Sequence, residues 1–213
     1  MIKVRRFCLN PLEENCYILW DEATLEAAIV DCGAWKKQEE DQIASFIRDE
    51  KLTLKMVLQT HTHFDHIFGI PFLFSTYGLR PRFHAADESV YYATPEMAAQ
   101  FGISIPEPLP RPDSYLTDGE TINIGTTSIQ VLHTPGHSPG GVCFYIESEH
   151  LLLSGDTLFQ GSMGRTDLPG GNMQQEIQSL RQKLMVLPPE TIVLPGHGPS
   201  TTIGNEARYN PYI

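Results

Sequence analysis

The chain has 213 residues, 41% of them hydrophobic and 19% charged, which is enough to bury a substantial core without disulfide or metal staples. Its formal net charge of −11 and pI near 5.1 argue against a nucleic-acid phosphate backbone as partner. The opening residues, "MIKVRRFCLN", hold no long apolar core and no small-residue cleavage site, and no run is long enough to span a bilayer. The expectation is a cytoplasmic protein with a single domain over residues 1–213 and no membrane partner.

Apolar and β-branched runs predict strands near Ile2–Leu9, Cys16–Trp20, Ala27–Asp31 and Met56–Thr60. "DQIASFIRDEKL" places Ile43, Phe46 and Ile47 at helical spacing between the third and fourth of these. A second helix follows His66 through "IFGIPFLFSTYG" and stops at Gly78. "ADESVYYATPEMAAQFG" reads as a helix broken near Pro95, and "PEPLPRPDSYLTDGE" as a proline-rich surface loop. "TSIQVLH", "GVCFYIE" and "HLLLSGD" predict three more strands. "GNMQQEIQSLRQKLMVLPP" gives a helix with Asn172 as N-cap and a proline stop, and "TIVLPGHG" a last short strand. This order fits two sheets with helices outside them better than one parallel sheet. Cys8, Cys16, Cys32 and Cys143 form no CxxC pair and read as reduced, mostly buried thiols. Cys32, at a strand end in "VDCG", is the one placed nearer any chemistry.

"HTHFDH" gathers His61, His63, Asp65 and His66 in six positions of a chain with only 8 histidines. His137 in "HTPGHSPGG", Asp156 in "LLLSGDTLF" and His197 in "LPGHGPS" each follow an apolar strand-like run beside glycine or a turn, where function commonly lives. Imidazole nitrogen and carboxylate oxygen suit zinc, and also iron or manganese. In an extended segment the side chains at i and i+2 point the same way, so His61 and His63 can reach one ion. His137 would complete that first position. Asp65, His66 and His197 would hold a second ion, and Asp156 would bridge the two. Four close-packed imidazole and carboxylate groups without a metal would lose side-chain freedom for little return. His84, His133 and His150 read as solvated or capping residues.

In this order, "HTHFDH", "HTPGHSPGG", "SGDTLF" and "PGHG" resemble the metallo-β-lactamase superfamily, and within it the hydroxyacylglutathione hydrolases, or glyoxalase II. The resemblance runs from the first strands to His197. It implies an α+β four-layer αββα sandwich, with two mixed β-sheets packed face to face, helices outside, and a binuclear metal site at one edge. The ligand assignment above agrees with the family pattern. The β-lactamases proper are exported and usually carry cysteine at the position of Asp156. Only 40 residues separate Asp156 from His197, which leaves no room for the insertion of the nucleic-acid-processing members. Full-length glyoxalase II enzymes add a C-terminal helical domain and a tyrosine after the last metal histidine. Here 16 residues follow His197 and Pro199 stands at the tyrosine position, so the likeness is to the compact group.

The resemblance implies a metal-dependent hydrolase cleaving an S-(2-hydroxyacyl)glutathione or similar small-molecule thioester with a metal-bridging hydroxide. Asp65 would both ligate the second metal and orient that hydroxide. In "GSMGRTDLPGGN", Arg165 stands where similar enzymes contact a glutathione carboxylate; the alternative is that it pairs with Asp167 or ties down its loop. Persulfide dioxygenases resemble the chain too, "GRTD" included. They use one iron held by the equivalents of His61, His137 and Asp156. Two metals therefore predict hydrolysis, and one iron with oxygen consumption predicts dioxygenation. A third reading is a non-catalytic protein that holds metal for an interaction.

Overall fold

The computed structural model describes residues 1–100, 102–105 and 108–213. Strands are numbered along the chain. The first sheet runs in the order β1 (Ile2–Leu9), β2 (Glu14–Asp21), β3 (Glu26–Val30), β4 (Thr53–Leu58), β5 (Pro81–His84) and β6 (Ser114–Leu116). Its first three strands are antiparallel, and the pairs from β3 to β6 are parallel. The second sheet holds β7 (Thr121–Ile124), β8 (Thr127–His133), β9 (Val142–Ile146), β10 (Leu151–Gly155), β13 (Ile192–Pro195) and β14 (Thr201–Thr202). There β10 and β13 are parallel and the other pairs antiparallel. A small hairpin of β11 (Leu158–Phe159) and β12 (Ser162–Met163) stands apart.

Strand periodicity sorts the side chains into three cores. Tyr17 and Leu19 of β2 meet Val142, Phe144 and Ile146 of β9 in the layer between the sheets. The alternate residues Cys16 and Ile18 face the helices α1 (Lys37–Asp49), α2 (Phe64–Ile67), α3 (Ile70–Tyr77) and α4 (Glu88–Gln100). Cys143 and Tyr145 face α5 (Met173–Ser179), the π-helical turn Leu180–Leu184 that extends it, and α6 (Ile203–Tyr209). β9 is buried on both faces, which is why "VCFYI" reads as a continuous apolar run. The four layers are those expected. Among the described residues no helix is long and apolar enough to cross a membrane.

Four local expectations are revised. Pro95 does not break its helix: α4 runs through it, because Val90, Tyr91, Thr94 and Ala98 are buried on either side and tertiary packing outweighs the lost backbone bond. The helix predicted after His66 is two helices, with Gly69 between them. Gly69 donates to the Cys32 carbonyl at 2.8 Å, and a Cβ there would lie 2.3 Å from Cys32 Sγ. The helix capped by Asn172, which accepts from the Gln175 amide at 3.0 Å, loses α geometry after Ser179. The proline-rich loop contains β6, whose Leu116 is buried; its first residues, Pro106 and Glu107, and Phe101 at the end of the predicted third helix lie outside the described residues.

The β2–β3 turn is held by Asp21, which accepts from the Thr126 hydroxyl at 2.7 Å and from the Ala23, Thr24 and Thr126 amides. The Thr126 hydroxyl, then the amides, hold this carboxyl well below the usual range. Its stabilisation is therefore present above the unfolded pKa near 3.9 and is lost as pH falls through the folded value. Asp21→Asn should be less stable than wild type at pH 7, with the gap narrowing below about pH 4. Urea unfolding from pH 7 to 3 measures this; a constant gap would refute it.

Candidate metal centre

The parallel pairs β3–β4 and β10–β13 end on one edge of the sandwich, and the residues just past those ends carry the polar cluster. Asp31 follows β3, His61 follows β4, Asp156 follows β10 and His197 follows β13; His137 lies in the loop after β8. Ligand crevices commonly form at such strand ends. His63 N-caps α2, which presents Asp65 and His66 on its first turn.

The structure brings all seven predicted side chains together. His61 Nε2 lies 3.3 Å and His63 Nδ1 2.9 Å from His137 Nε2. His197 Nε2 lies 3.1 Å from Asp65 Oδ2, and His66 Nε2 lies 3.7 Å from the same oxygen. Asp156 stands between the two groups, with Oδ1 3.4 Å from His66 Nε2 and Oδ2 3.7 and 3.6 Å from the Nε2 atoms of His137 and His197. Ligand atoms of His61, His63 and His137, of His61, His66 and Asp156, and of Asp65, His66 and His197 lie within 4.8 Å of one another in each group.

Outer contacts set the imidazole tautomers. His137 Nδ1 donates to the Arg165 carbonyl at 2.7 Å and His197 Nδ1 to the Leu12 carbonyl at 3.0 Å. The Thr60 hydroxyl donates to Asp31 Oδ2 at 2.6 Å, which leaves its oxygen to accept from His61 Nδ1 at 3.1 Å. In all three rings the Nε2 lone pair then points into the cluster, the arrangement that second-shell acceptors impose on metal-binding histidines. Asp31 also accepts from the Thr60 amide at 2.7 Å and lies 3.2 Å from His66 Nδ1. Its φ of +51° is left-handed, a local strain of about 1 kcal/mol that these bonds offset.

Burial, then the neighbouring rings, lowers the pKa of His61 well below the usual value and that of His63 to about 3. Both are therefore neutral, the form that ligates. Burial also opposes charge on His66 and Asp156, but mutual attraction prevails: Asp156 and Asp65 raise His66, while His66 first, then His137 and His197, hold Asp156 down. Asp65 is likewise held low by His66 against burial. The donor set fits divalent ions. His66 Nε2 and Asp156 Oδ1 are buried with no hydrogen-bond partner among the described residues, which is costly unless something else satisfies them. Ring nitrogens on a tetrahedral ion with bonds of 2.0–2.1 Å stand about 3.3 Å apart, close to the spacings in the three-histidine group.

Sequence reading missed three supporting carboxyls. Asp31 acts as above. Asp87, buried, accepts from the Thr62 amide at 3.0 Å, the Ser138 hydroxyl at 3.1 Å and the Gly140 amide at 2.5 Å, so it ties the His61–His63 segment to the His137 loop. Glu176 accepts from the His137 amide at 2.8 Å; burial pushes its carboxyl up to about 8. The remaining histidines are structural where contacts are seen: His84 Nδ1 accepts from the Ala86 amide at 3.3 Å, and its ring stacks on His133 with centroids 3.9 Å apart. Cys16, Cys32 and Cys143 are buried and Cys8 is exposed; Cys32 packs under Gly69, near the site but outside the cluster.

A cleft of about 510 Å³ opens on the cluster, walled by Phe159, Met163, Arg165 and Pro199 with His137, Asp156 and His197 at its base. A larger groove of about 780 Å³ between β1 and α1, lined by Arg5, Phe7 and Phe46, contains none of the seven side chains.

Residues 9–197 match the metallo-beta-lactamase superfamily, and the chain belongs to it. It is 35% identical over 212 residues to the hydroxyacylglutathione hydrolase GloC of Haemophilus influenzae, covering 96% of this chain and 95% of that protein. Among solved structures it resembles the BLEG-1 B3 metallo-beta-lactamase (37% identity, TM-score 0.86, 99% of each chain). It also resembles TTHA1623 in a di-iron-bound form (39%, TM-score 0.85, 98% of this chain and 100% of that). ETHE1 from Myxococcus xanthus follows at 26% identity and a TM-score of 0.80, covering 98% of this chain and 83% of that one.

Proposed function

We propose that the protein is a metal-dependent thioester hydrolase of the compact glyoxalase II type, acting on an S-(2-hydroxyacyl)glutathione or a similar thiol ester. The observation that carries this reading is the convergence of two ligand groups on one carboxylate, Asp156, at the base of an open cleft. His61, His63 and His137 would hold one divalent ion, Asp65, His66 and His197 a second, and Asp156 both. Zinc suits these donors, and so does iron, as in the di-iron form of TTHA1623, or manganese. Bound there, the ions supply Lewis acidity and lower the pKa of water.

The protein's own groups then do the positioning. Asp65, whose Oδ2 faces His197, orients the attacking water through its other oxygen. Asp31 with Thr60, and the Arg165 and Leu12 carbonyls, fix the rings so that the cluster needs no rearrangement as charge develops. The leaving thiolate is weakly basic and departs with little help from an acid. The likeness to GloC supports a thioester substrate. A second reading, a persulfide dioxygenase with one iron on His61, His137 and Asp156, draws on the likeness to ETHE1.

The deciding experiment is metal analysis of the purified protein beside three assays: thioester hydrolysis, oxygen consumption with a persulfide, and cephalosporin hydrolysis. Two metals per chain with thioester turnover is the expected result. One iron with oxygen uptake supports the second reading, and lactam turnover alone defeats both.

A further inference from the structure

The turn between β1 and β2 is tied to both segments that present the second ligand group. On one side, Asn10 Nδ2 donates to the Asp65 carbonyl at 3.1 Å and to the Gly33 carbonyl at 3.0 Å. A Cβ at Gly33 would collide with that same Asp65 carbonyl and with the Glu14 carboxyl, so turn and helix α2 meet with no room for a side chain between them. On the other side, Asn15, only 2% exposed, spans the His197 loop. Its Nδ2 donates to the Pro195 carbonyl at 3.0 Å and to the Gly198 carbonyl at 2.9 Å, and its amide donates to the Gly196 carbonyl at 2.7 Å. Glu14 forms an antiparallel bridge with His197 itself, and Leu12 supplies the carbonyl that fixes the His197 ring. None of these bonds goes to His61, His63 or His137.

The turn holds this arrangement against local preference. Asn10 and Glu13 both have left-handed backbone, with φ of +50° and +56°. Asparagine tolerates that conformation better than most residues, and glutamate does not. Such strain persists where the surroundings over-determine it, and it clusters at functional sites. The Asn10 side chain also closes the turn, its Oδ1 accepting from the Leu12 amide at 2.9 Å, so it places the residue whose carbonyl holds His197. We propose that Asn10 and Asn15 are positioning residues for the second metal position. Together they fix the Asp65–His66 helix relative to His197, and so set whether the site holds two ions or one. This rests on the two-ion hydrolase reading and names what holds its second position.

The test counts zinc. Metal-free wild type, Asn10→Gly and Asn15→Ala are titrated with zinc against a chromophoric chelator, which resolves two binding constants. Asn10→Gly keeps the left-handed φ without strain, so it reports on the side chain alone. Each variant should weaken one constant about tenfold or more, the usual cost of losing an outer-shell partner, and leave the other at the wild-type value. Two backgrounds identify the affected position. In His63→Ala, where the first group is broken, adding Asn15→Ala should weaken the remaining zinc by the same factor. In His197→Ala, where the second group is broken, it should change nothing further. If Asn15→Ala fails to fold, Asn10→Gly carries the same comparison. Equal weakening of both constants overturns the proposal, as does a loss that persists in His197→Ala. So do unchanged constants beside a lowered melting temperature, which is the mark of a merely structural role. A wild type that takes up a single zinc overturns it whatever the variants do. Thioester turnover is measured on the same samples. A selective loss of the second constant in proteins that never hydrolyse thioesters would sink the hydrolase reading and leave the two asparagines in their role. Two ions with turnover and unchanged constants would do the reverse.

Discussion

Replacing Asp156 with alanine should remove bound metal and thioester hydrolysis together. The carboxylate faces His66, His137 and His197 at 3.4 to 3.7 Å, so its loss opens both ligand groups at once. Metal-supplied charge stabilisation is worth several kcal/mol, and each 1.36 kcal/mol is tenfold in rate, so a fall of roughly 10³ or more is expected. A merely structural Asp156 would give a different stability signature. In the metal-free protein the carboxylate is the main charge partner of buried His66, so its removal lowers stability even without metal, and the discriminating quantity is the gain on adding metal. Wild type should gain thermal stability on adding zinc or iron, because an ion that binds only the folded state at 100 times its Kd contributes about 2.7 kcal/mol. Asp156→Ala should show no such gain, its melting temperature being the same with metal as after chelation. Melting curves with and without metal, beside metal counts, read this out. A variant that kept two ions per chain and normal turnover would end the binuclear scheme.

The seven clustered side chains were legible in the sequence because each signals locally. "HTHFDH" crowds four donors into one turn, and Asp156 and His197 sit beside glycines at strand ends. The sandwich was legible in the order of the predicted elements and in the four ordered motifs, while β9 shows only a continuous apolar run because both its faces are buried. What escaped notice has no local pattern. β5, β6 and β14 have two to four residues each, too few for a period to show. Asp31 and Asp87 look like ordinary turn and helix-start acids, yet their partners lie 25 to 53 residues away. Pro95 carried a strong local signal that packing overruled. For Arg165 the residue type admitted two partners, and the structure joins it to Asp167.

Asp87 offers the sharpest test of that hidden layer. Its carboxylate collects the Thr62 amide, the Ser138 hydroxyl and the Gly140 amide, and the Thr62 hydroxyl donates to its backbone carbonyl at 3.2 Å. Thr62 lies between His61 and His63, and Ser138 follows His137, so one side chain sets the spacing of the whole three-histidine group. Burial raises the pKa of this carboxyl despite the bonds, which shows that it is held at some cost in desolvation. Alanine would leave two buried amides and a hydroxyl unpaired, at about 1–3 kcal/mol each before relaxation and water entry. A net loss of roughly 3 kcal/mol is expected, which for a chain of this size lowers the melting temperature by about 6–12 °C. Asn at this position keeps one acceptor oxygen and should recover part of the loss. The informative readout is metal affinity at a temperature where both variants are folded. If Asp87 spaces the ligands, Asp87→Ala should bind zinc more weakly by about tenfold or more, the usual cost of losing an outer-shell partner, with Asp87→Asn intermediate. If it serves stability alone, melting temperatures should fall while zinc affinity stays at the wild-type value.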